Sequence, residues 1–307
     1  MASSHFKELI ETANNVLNVY GQYEPYFSYF DNITNSEMNN VNVVLSDLHF
    51  KCKRINENEI PFKNVLSGAM ESFKWFSKDV QDIFGRVFTI IDFDVNPEAG
   101  VSDFVALTTP TVSTNKCVNR YTMRIVTPQI VEKCSKYFLS HEFIHAIKDT
   151  YYDEMKLLFT SIETIPILWE FIQSYLDGDD VTMSRVFSER YDQMLHIEML
   201  YNESNIFLDS YSKGGINCNQ RLVDAVKLVN MESIMYLNSF YYAVCLFERF
   251  LRNKKAVLEY LDRVLVGKIT TKYFINVCSL LDDENNDEVY AKGLKTFKLI
   301  ANNNFKK

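Results

Sequence analysis

The stretch YFLSHEFIHAIKDTYY, residues 137–152, carries two histidines four positions apart, with a glutamate directly after the first. Apolar residues recur at steps of three and four from Ile130 onward, which is the period of an amphipathic helix. On that helix His141 and His145 lie one turn apart on the buried stripe, with their rings on the same side. Glu142 lies about 100° around the helix from His141. The stretch therefore predicts a helix on which two histidines and a glutamate can face one cavity.

This HExxH pattern has the arrangement that a catalytic zinc site requires. Two neutral imidazoles bind Zn²⁺ at about 2.0–2.1 Å, a third protein ligand completes the set, and an open position holds water. Glu142 would accept a proton from that water as it attacks a carbonyl, and would pass it to the leaving amine. The pattern therefore predicts His141 and His145 as metal ligands, against the alternative of two structural histidines in a core.

Two carboxylates downstream are candidates for the third ligand. Glu163 and Glu170 stand seven residues apart in TSIETIPILWEFIQSYL, residues 160–176. On a helix this spacing places both on one face that is otherwise apolar, and a buried carboxylate needs a partner such as a metal or a histidine. Seventeen residues separate His145 from Glu163, and 24 separate it from Glu170. Both spacings are feasible, so the residues alone leave the choice open.

The composition excludes several classes of protein. Among 307 residues 47% are hydrophobic, which is ample for a packed core, and a net charge of -8 with scattered basic residues argues against a nucleic-acid partner. The sequence shows neither a signal-type leader nor an apolar run near the roughly 18 residues that span a bilayer, so we expect no membrane partner. The six cysteines form no CxxC pair and are typical of buried thiols. We therefore expect a cytoplasmic protein.

Helical spacing dominates the chain, which contains only 9 Gly and 6 Pro. Amphipathic helices are predicted at residues 5–30 and 62–85, and the Asn-rich stretch 31–42 predicts a loop or a helix junction between them. Three β-branched and aromatic runs, RVFTIIDFDV, SDFVALTTPTV and NRYTMRIV, predict strands. Thr127 followed by Pro128 predicts a helix start, with the threonine as N-cap. We expect a mainly α protein with a small β-sheet, of the α+β class.

The predicted layout has two regions that together form one compact unit. Its parts are an N-terminal helical region at 1–84, and a catalytic region at 85–307 that contains the small sheet at 86–126, the HExxH helix at 127–150 and the C-terminal helices.

The HExxH motif, together with ETIPILWE at 163–170, resembles the gluzincin metallopeptidases, most closely the oligoendopeptidase F and thimet oligopeptidase group. In that group a second helix carries a zinc-binding glutamate, with another glutamate seven residues on. The resemblance implies a zincin-like catalytic domain, zinc as cofactor, Glu163 as third ligand and Glu170 as a group that orients a histidine. The group's usual spacing after HExxH matches Glu170 instead, whereas that of the aminopeptidase branch of the gluzincins matches Glu163. We expect Glu163 to be the ligand.

The resemblance extends to NSFYYAVCLF, residues 238–247, which is similar to the family's tyrosine-rich helix. There a tyrosine donates a hydrogen bond to the tetrahedral oxyanion, so Tyr242 is the expected catalytic donor and Tyr241 the alternative. Phe240 stands where the family has a further tyrosine. Ile144 replaces the small residue of the family's HExGH, and the histidine that precedes the family's tyrosines has no counterpart.

These patterns predict a zinc metallopeptidase, a hydrolase of the gluzincin type. The resemblance implies that its substrates are peptides or an unfolded protein, admitted to a cleft between helices. The alternative is a zincin-like metal-binding regulatory or interaction protein with little or no turnover, which the missing histidine favours. The cleavage specificity, the native metal and the oligomeric state are not encoded in any of these patterns.

Overall fold

The computed structural model describes residues 4–20, 33–52, 55–89, 91–96, 105–112, 118–126, 130–151, 163–266 and 284–305. Across these residues the chain is mainly helical with small β-sheets, which confirms the coarse fold class. The zincin-like character of the helical part stays a prediction. None of the described helices combines the length and the apolar character needed to cross a bilayer.

The helices carry most of the described residues. They are α1 (Ser4–Tyr20), α2 (Asn35–Asp47), α3 (Phe62–Glu71), a 3-10 helix (Ser72–Trp75), α4 (Lys78–Phe88), α5 (Ser135–Tyr151), α6 (Thr164–Asp177), α7 (Asp180–Ser212), α8 (Gln220–Arg252), α9 (Lys254–Leu265) and α10 (Asn286–Ala301). The strands are β1 (Glu59–Pro61), β2 (Ile91–Asn96), β3 (Val105–Val112), β4 (Val118–Val126) and β5 (Ile130–Glu132).

The three runs predicted as strands form one sheet in the order β2-β4-β3. β4 lies in the centre, parallel to β2 and antiparallel to β3. The first run was predicted to begin at Arg86, but Arg86–Phe88 end helix α4 and the strand begins at Ile91. The helix extends this far because Val80, Ile83, Phe84 and Val87 bury one continuous face.

The predicted start of the HExxH helix at Thr127 and Pro128 is wrong. Residues 127–129 lie outside the described part, Ile130–Glu132 form strand β5, and the helix begins at Ser135. β5 pairs antiparallel with β1, and the Cys134 N–H donates to the Glu57 carboxylate at 2.7 Å. These long-range bonds hold the backbone in an extended form, so local capping chemistry at Thr127 does not decide where the helix starts.

Two further predictions are corrected. The helix expected at 62–85 is broken, because the 3-10 helix and the N-cap Ser77 separate α3 from α4. The stretch 31–42, expected to be a loop or a helix junction, is helix α2 from Asn35 onward, and residues 31–32 lie outside the described part. A capping box begins α2: the Thr34 hydroxyl accepts from the Glu37 N–H at 3.2 Å, and the Thr34 N–H donates to the Glu37 carboxylate at 2.7 Å. Of the helix predicted at 5–30, α1 covers residues 4–20, and 21–32 lie outside the described residues.

The chain divides into two compact units, neither of which is continuous in sequence. The first comprises 1–51, 159–163 and 190–242, and the second comprises 52–158, 164–189 and 243–307. The first has an apolar core around Leu9, Phe207 and Val226. The predicted boundary between residues 84 and 85 divides the chain by sequence alone, and it stays a prediction.

The core of the second unit is rich in aromatic rings. Phe187 packs with its ring centroid 4.5 Å from that of Phe171, 5.0 Å from that of Phe297 and 5.4 Å from that of Phe247. Such clusters bury large apolar surfaces, and the tilted and edge-on ring geometries add favourable contacts. α6 runs through this unit with every side chain from Thr164 to Ser174 buried. It is therefore a core element, and it packs against α5.

Candidate metal site

The two motif histidines lie at the seventh and eleventh positions of α5 and face each other. His141 is buried and His145 is half-buried. Their Nε2 atoms are 3.1 Å apart, and their rings meet edge-on with centroids 4.8 Å apart. The i, i+4 spacing on a helix thus brings two imidazole nitrogens to one point, as the sequence predicted.

Glu170 approaches the opposite nitrogen of the first histidine. Its Oε1 lies 2.6 Å from Nδ1 of His141, and the Glu170 side chain is completely buried. Both residues belong to the second unit, on the packed pair α5 and α6. The contact is a close approach of charge and not an aligned hydrogen bond, and the negative charge beside Nδ1 favours a proton on that nitrogen, which leaves Nε2 with a lone pair for a metal.

Glu163 directly precedes Thr164, the first residue of α6, and is also buried. The start of a helix favours a negative charge because unpaired backbone N–H groups point toward it. One ligand atom from each of His141, His145 and Glu163 lies within 4.8 Å of the others. The structure therefore brings together the three residues predicted as ligands, while their binding of a metal stays a prediction.

The spacing of the two imidazole nitrogens fits a divalent ion such as zinc. Two ligand nitrogens at about 2.05 Å from an ion in tetrahedral geometry are about 3.3 Å apart, close to the observed 3.1 Å. With neutral imidazoles and ionised carboxylates, Glu163 and Glu170 place two negative charges in a buried region. A divalent cation held here would add positive charge to this buried acidic region.

The two residues predicted to be catalytic, Glu142 and Tyr242, belong to different units. Glu142 is half-buried on α5, one residue after His141. Tyr242 is 3% exposed on α8, in the first unit, with its ring centroid 5.4 Å from that of Tyr241. The roles of Glu142 as general base and of Tyr242 as oxyanion donor stay predictions.

Sequence reasoning missed a set of polar contacts that join α5 to α6. The Ser140 hydroxyl donates to Oε1 of Gln173 at 2.5 Å, and both side chains are buried. Further along, the Tyr137 hydroxyl donates to the Asp177 carboxylate at 3.1 Å. Burial, together with that carboxylate, raises the pKa of the Tyr137 hydroxyl well above its ordinary value. Gln173 was detectable as a polar residue three positions after Glu170, on the same side of the predicted helix.

Comparison of the chain with family models, with curated proteins and with solved structures finds no match in any of the three. The resemblance to the gluzincins therefore stays a prediction carried by the motifs themselves.

Proposed function

We propose that this protein is a metal-dependent peptidase whose metal, expected to be zinc, binds to His141, His145 and Glu163. The observation that carries the proposal is the pair of Nε2 atoms 3.1 Å apart, with a buried carboxylate 2.6 Å from Nδ1 of one ring. In a structural pair, one hydrogen bond between the Nε2 atoms and a carboxylate at Nδ1 would suffice for His141, and that arrangement gives no role to the buried Glu163, whose carboxylate lies at the same place.

Each side chain has a distinct task in this proposal. Bound zinc would supply Lewis acidity. Nε2 of His141, Nε2 of His145 and a carboxylate oxygen of Glu163 would hold the ion, and Glu170 would favour the proton of His141 on Nδ1. The Glu142 carboxylate accepts one proton from the attacking water and returns it to the nitrogen of the leaving amine. Water and a peptide thus give a carboxylic acid and an amine.

Metal content of the purified chain tests the ligand set. The wild type is expected to hold about one metal ion per chain, Glu163→Ala to lose it, and Glu170→Ala to retain it with affinity reduced about 10- to 100-fold. Elemental analysis after dialysis against a weak chelator measures all three in parallel. Loss of metal in Glu170→Ala alone would show that Glu170 is the ligand, and a metal-free wild type after reconstitution with zinc would refute the site.

Hydrolysis of a fluorescent peptide library and of an unfolded protein tests the chemistry. Glu142→Gln is expected to retain the metal but lose at least 100-fold in rate, because general-base catalysis contributes about 10²–10⁴-fold. Glu203→Gln is the control, since Glu203 is also a half-buried glutamate on a helix, in the other unit. If the wild type binds metal but cleaves neither substrate, the peptidase proposal fails and the metal-binding regulatory alternative stands.

A further inference from the structure

Three polar contacts follow one another along the packed pair α5 and α6. His141 meets Glu170, Ser140 meets Gln173, and the Tyr137 hydroxyl meets Asp177. As the α5 partners step back toward the start of that helix, the α6 partners step forward toward the end of theirs. The contacts therefore form a continuous series between two antiparallel helices, which we call the α5–α6 ladder.

The contacts of the ladder differ in exposure: the one at Asp177 is partly exposed, whereas those at Glu170 and Gln173 are buried. Asp177 is reached by Lys136 at 2.5 Å, with side chains 26% and 15% exposed, so water weakens this contact. Ser140, Glu170 and Gln173 are at most 1% exposed. In such surroundings a hydrogen bond is stronger, and displacement of either partner leaves a buried polar group unsatisfied at a cost of about 1–3 kcal/mol.

The Ser140–Gln173 contact has a direct geometric consequence for the histidine. Ser140 is the residue before His141, and Gln173 is one helical turn after Glu170. A slide or rotation of α5 against α6 that lengthens the 2.6 Å distance from Nδ1 of His141 to Glu170 would also stretch the 2.5 Å contact next to it. The serine contact is therefore placed to resist the motion that would release the imidazole.

We infer that Ser140 and Gln173 are positioning residues, which fix the register of α5 against α6 and thereby hold the His141 imidazole on Glu170 with Nε2 directed to the metal position. The functional role in this inference rests on the proposed metal site. The contacts that position the imidazole do not need the metal, so their effect can be measured in the metal-free chain.

Ser140→Ala is the direct test, and α6 provides a matched control. The single hydroxyl proton of Ser140 is shared between two acceptors, Oε1 of Gln173 at 2.5 Å and the Tyr137 carbonyl at 2.9 Å. Ser174 is equally buried and donates to the Phe171 carbonyl at 3.0 Å, its only hydrogen bond within the described residues. Ser174→Ala therefore removes the same local bond, without the contact between helices. Gln173→Met is the second variant, because it removes the amide that accepts from Ser140 and keeps a side chain of similar length. Every variant is used only if circular dichroism shows native helix content.

The first readout needs no metal. In chain labelled with ¹⁵N in the imidazole rings, only five histidines contribute signals, and His141→Gln identifies that of His141. We expect a protected Nδ1–H whose solvent exchange becomes roughly 3- to 10-fold faster in Ser140→Ala and in Gln173→Met, and stays unchanged in Ser174→Ala. Equal exchange in Ser140→Ala and Ser174→Ala, or no protected Nδ1–H in the wild type, would overturn the inference.

The second readout uses Co²⁺ as a spectroscopic probe in place of zinc. The ligand-field absorption bands report the geometry around the ion, and competition with a chelator reports affinity. In Ser140→Ala and Gln173→Met we expect altered absorption bands and a Co²⁺ affinity reduced roughly 3- to 10-fold, and in Ser174→Ala no change. This reduction is smaller than the one expected when Glu170, which contacts the histidine directly, is replaced. Unaltered bands in both variants would also contradict the inference.

The two readouts separate the two proposals. Faster exchange in Ser140→Ala, in a chain that binds no Co²⁺ or zinc, would refute the metal site and leave the positioning pair standing. Metal binding with identical exchange in Ser140→Ala and Ser174→Ala would support the site and refute the pair. The double variant Ser140→Ala with Gln173→Met is expected to change exchange no more than either single variant, because both remove one contact.

Discussion

Two buried regions of the molecule are held together by different chemistry. In the first unit, α1, α7 and α8 contribute side chains such as Leu9, Leu200 and Phe207 to an apolar core cluster. In the second unit, α5 and α6 bury His141 and Glu170 among equally buried apolar residues. Apolar packing stabilises a fold without directing any atom at a target, whereas the buried polar pair costs desolvation and orients one nitrogen. The difference teaches that a buried apolar cluster and a buried polar pair should respond differently to substitution: the first in stability, the second in the proposed metal binding.

The largest change in the free energy of unfolding is expected from a substitution in the apolar core of the first unit. Phe207→Ala should lower the free energy of unfolding by about 3–5 kcal/mol, because it removes buried surface and leaves a cavity. The neighbouring Ile206 is 61% exposed, so Ile206→Ala should change stability by less than about 0.5 kcal/mol. Urea denaturation measures both. Metal content should stay at the wild-type value in each variant, and loss of metal in Phe207→Ala under native conditions would contradict this difference in response.

A smaller effect in free energy, but a specific one, is expected at Glu170. Glu170→Gln should weaken metal binding about 10- to 100-fold, while the metal-free chain keeps or gains stability because a buried charge is removed. Calorimetric titration with zinc and denaturation in chelator measure the two quantities. Glu198→Gln is the control, since Glu198 contacts His49 at 3.1 Å where that histidine is 70% exposed. A destabilisation of Glu170→Gln as large as that of Phe207→Ala would make the glutamate a structural residue.

The smallest effect is expected where a polar contact is partly exposed. Asp179 caps α7 by accepting from the Thr182 N–H at 3.2 Å, and it pairs with Lys133 at 2.5 Å. Asp179→Ala should cost about 1 kcal/mol as a lost N-cap, whereas Asp179→Asn should cost less because asparagine also caps helices. Asp192→Ala, at an exposed position on the same helix, is the control. Equal losses for the alanine and asparagine variants would show that the ion pair outweighs the cap.

The contribution of the Asp179 carboxylate to stability depends on pH. Although burial acts in the opposite direction, hydrogen bonds from Lys133 and Thr182 lower the pKa of Asp179 from 3.8 to about 2. The folded state therefore binds this proton less readily than the unfolded state, so the contribution is complete above about pH 4 and is lost as the pH falls toward 2. Denaturation of the wild type and of Asp179→Asn at pH 6, 4 and 2.5 should show a difference that narrows with acid.

The sequence predicted most of the local structure around the histidines. The i, i+4 pair and the buried carboxylates could be foreseen because helical periodicity and burial of apolar residues are local properties. The start of α5 could not be foreseen, because Ile130–Glu132 are held by residues about 70 positions earlier. The contact of Ser140 with Gln173 was equally hidden, since it depends on the relative register of two helices. The features that could not be predicted are contacts between segments far apart in the chain, because no single stretch of sequence specifies its distant partner.

The short ladder between β1 and β5 also bears on the order in which the molecule assembles. Pro61 pairs with Ile130, so this contact closes a loop of about 70 residues, whose closure costs about 4 kcal/mol of chain entropy before any contact is gained. The hydrogen bonds within α5 form locally and need no such closure. We therefore expect the helix that carries His141 and His145 to form early in folding, and its first turn to be set late, when the distant strand arrives.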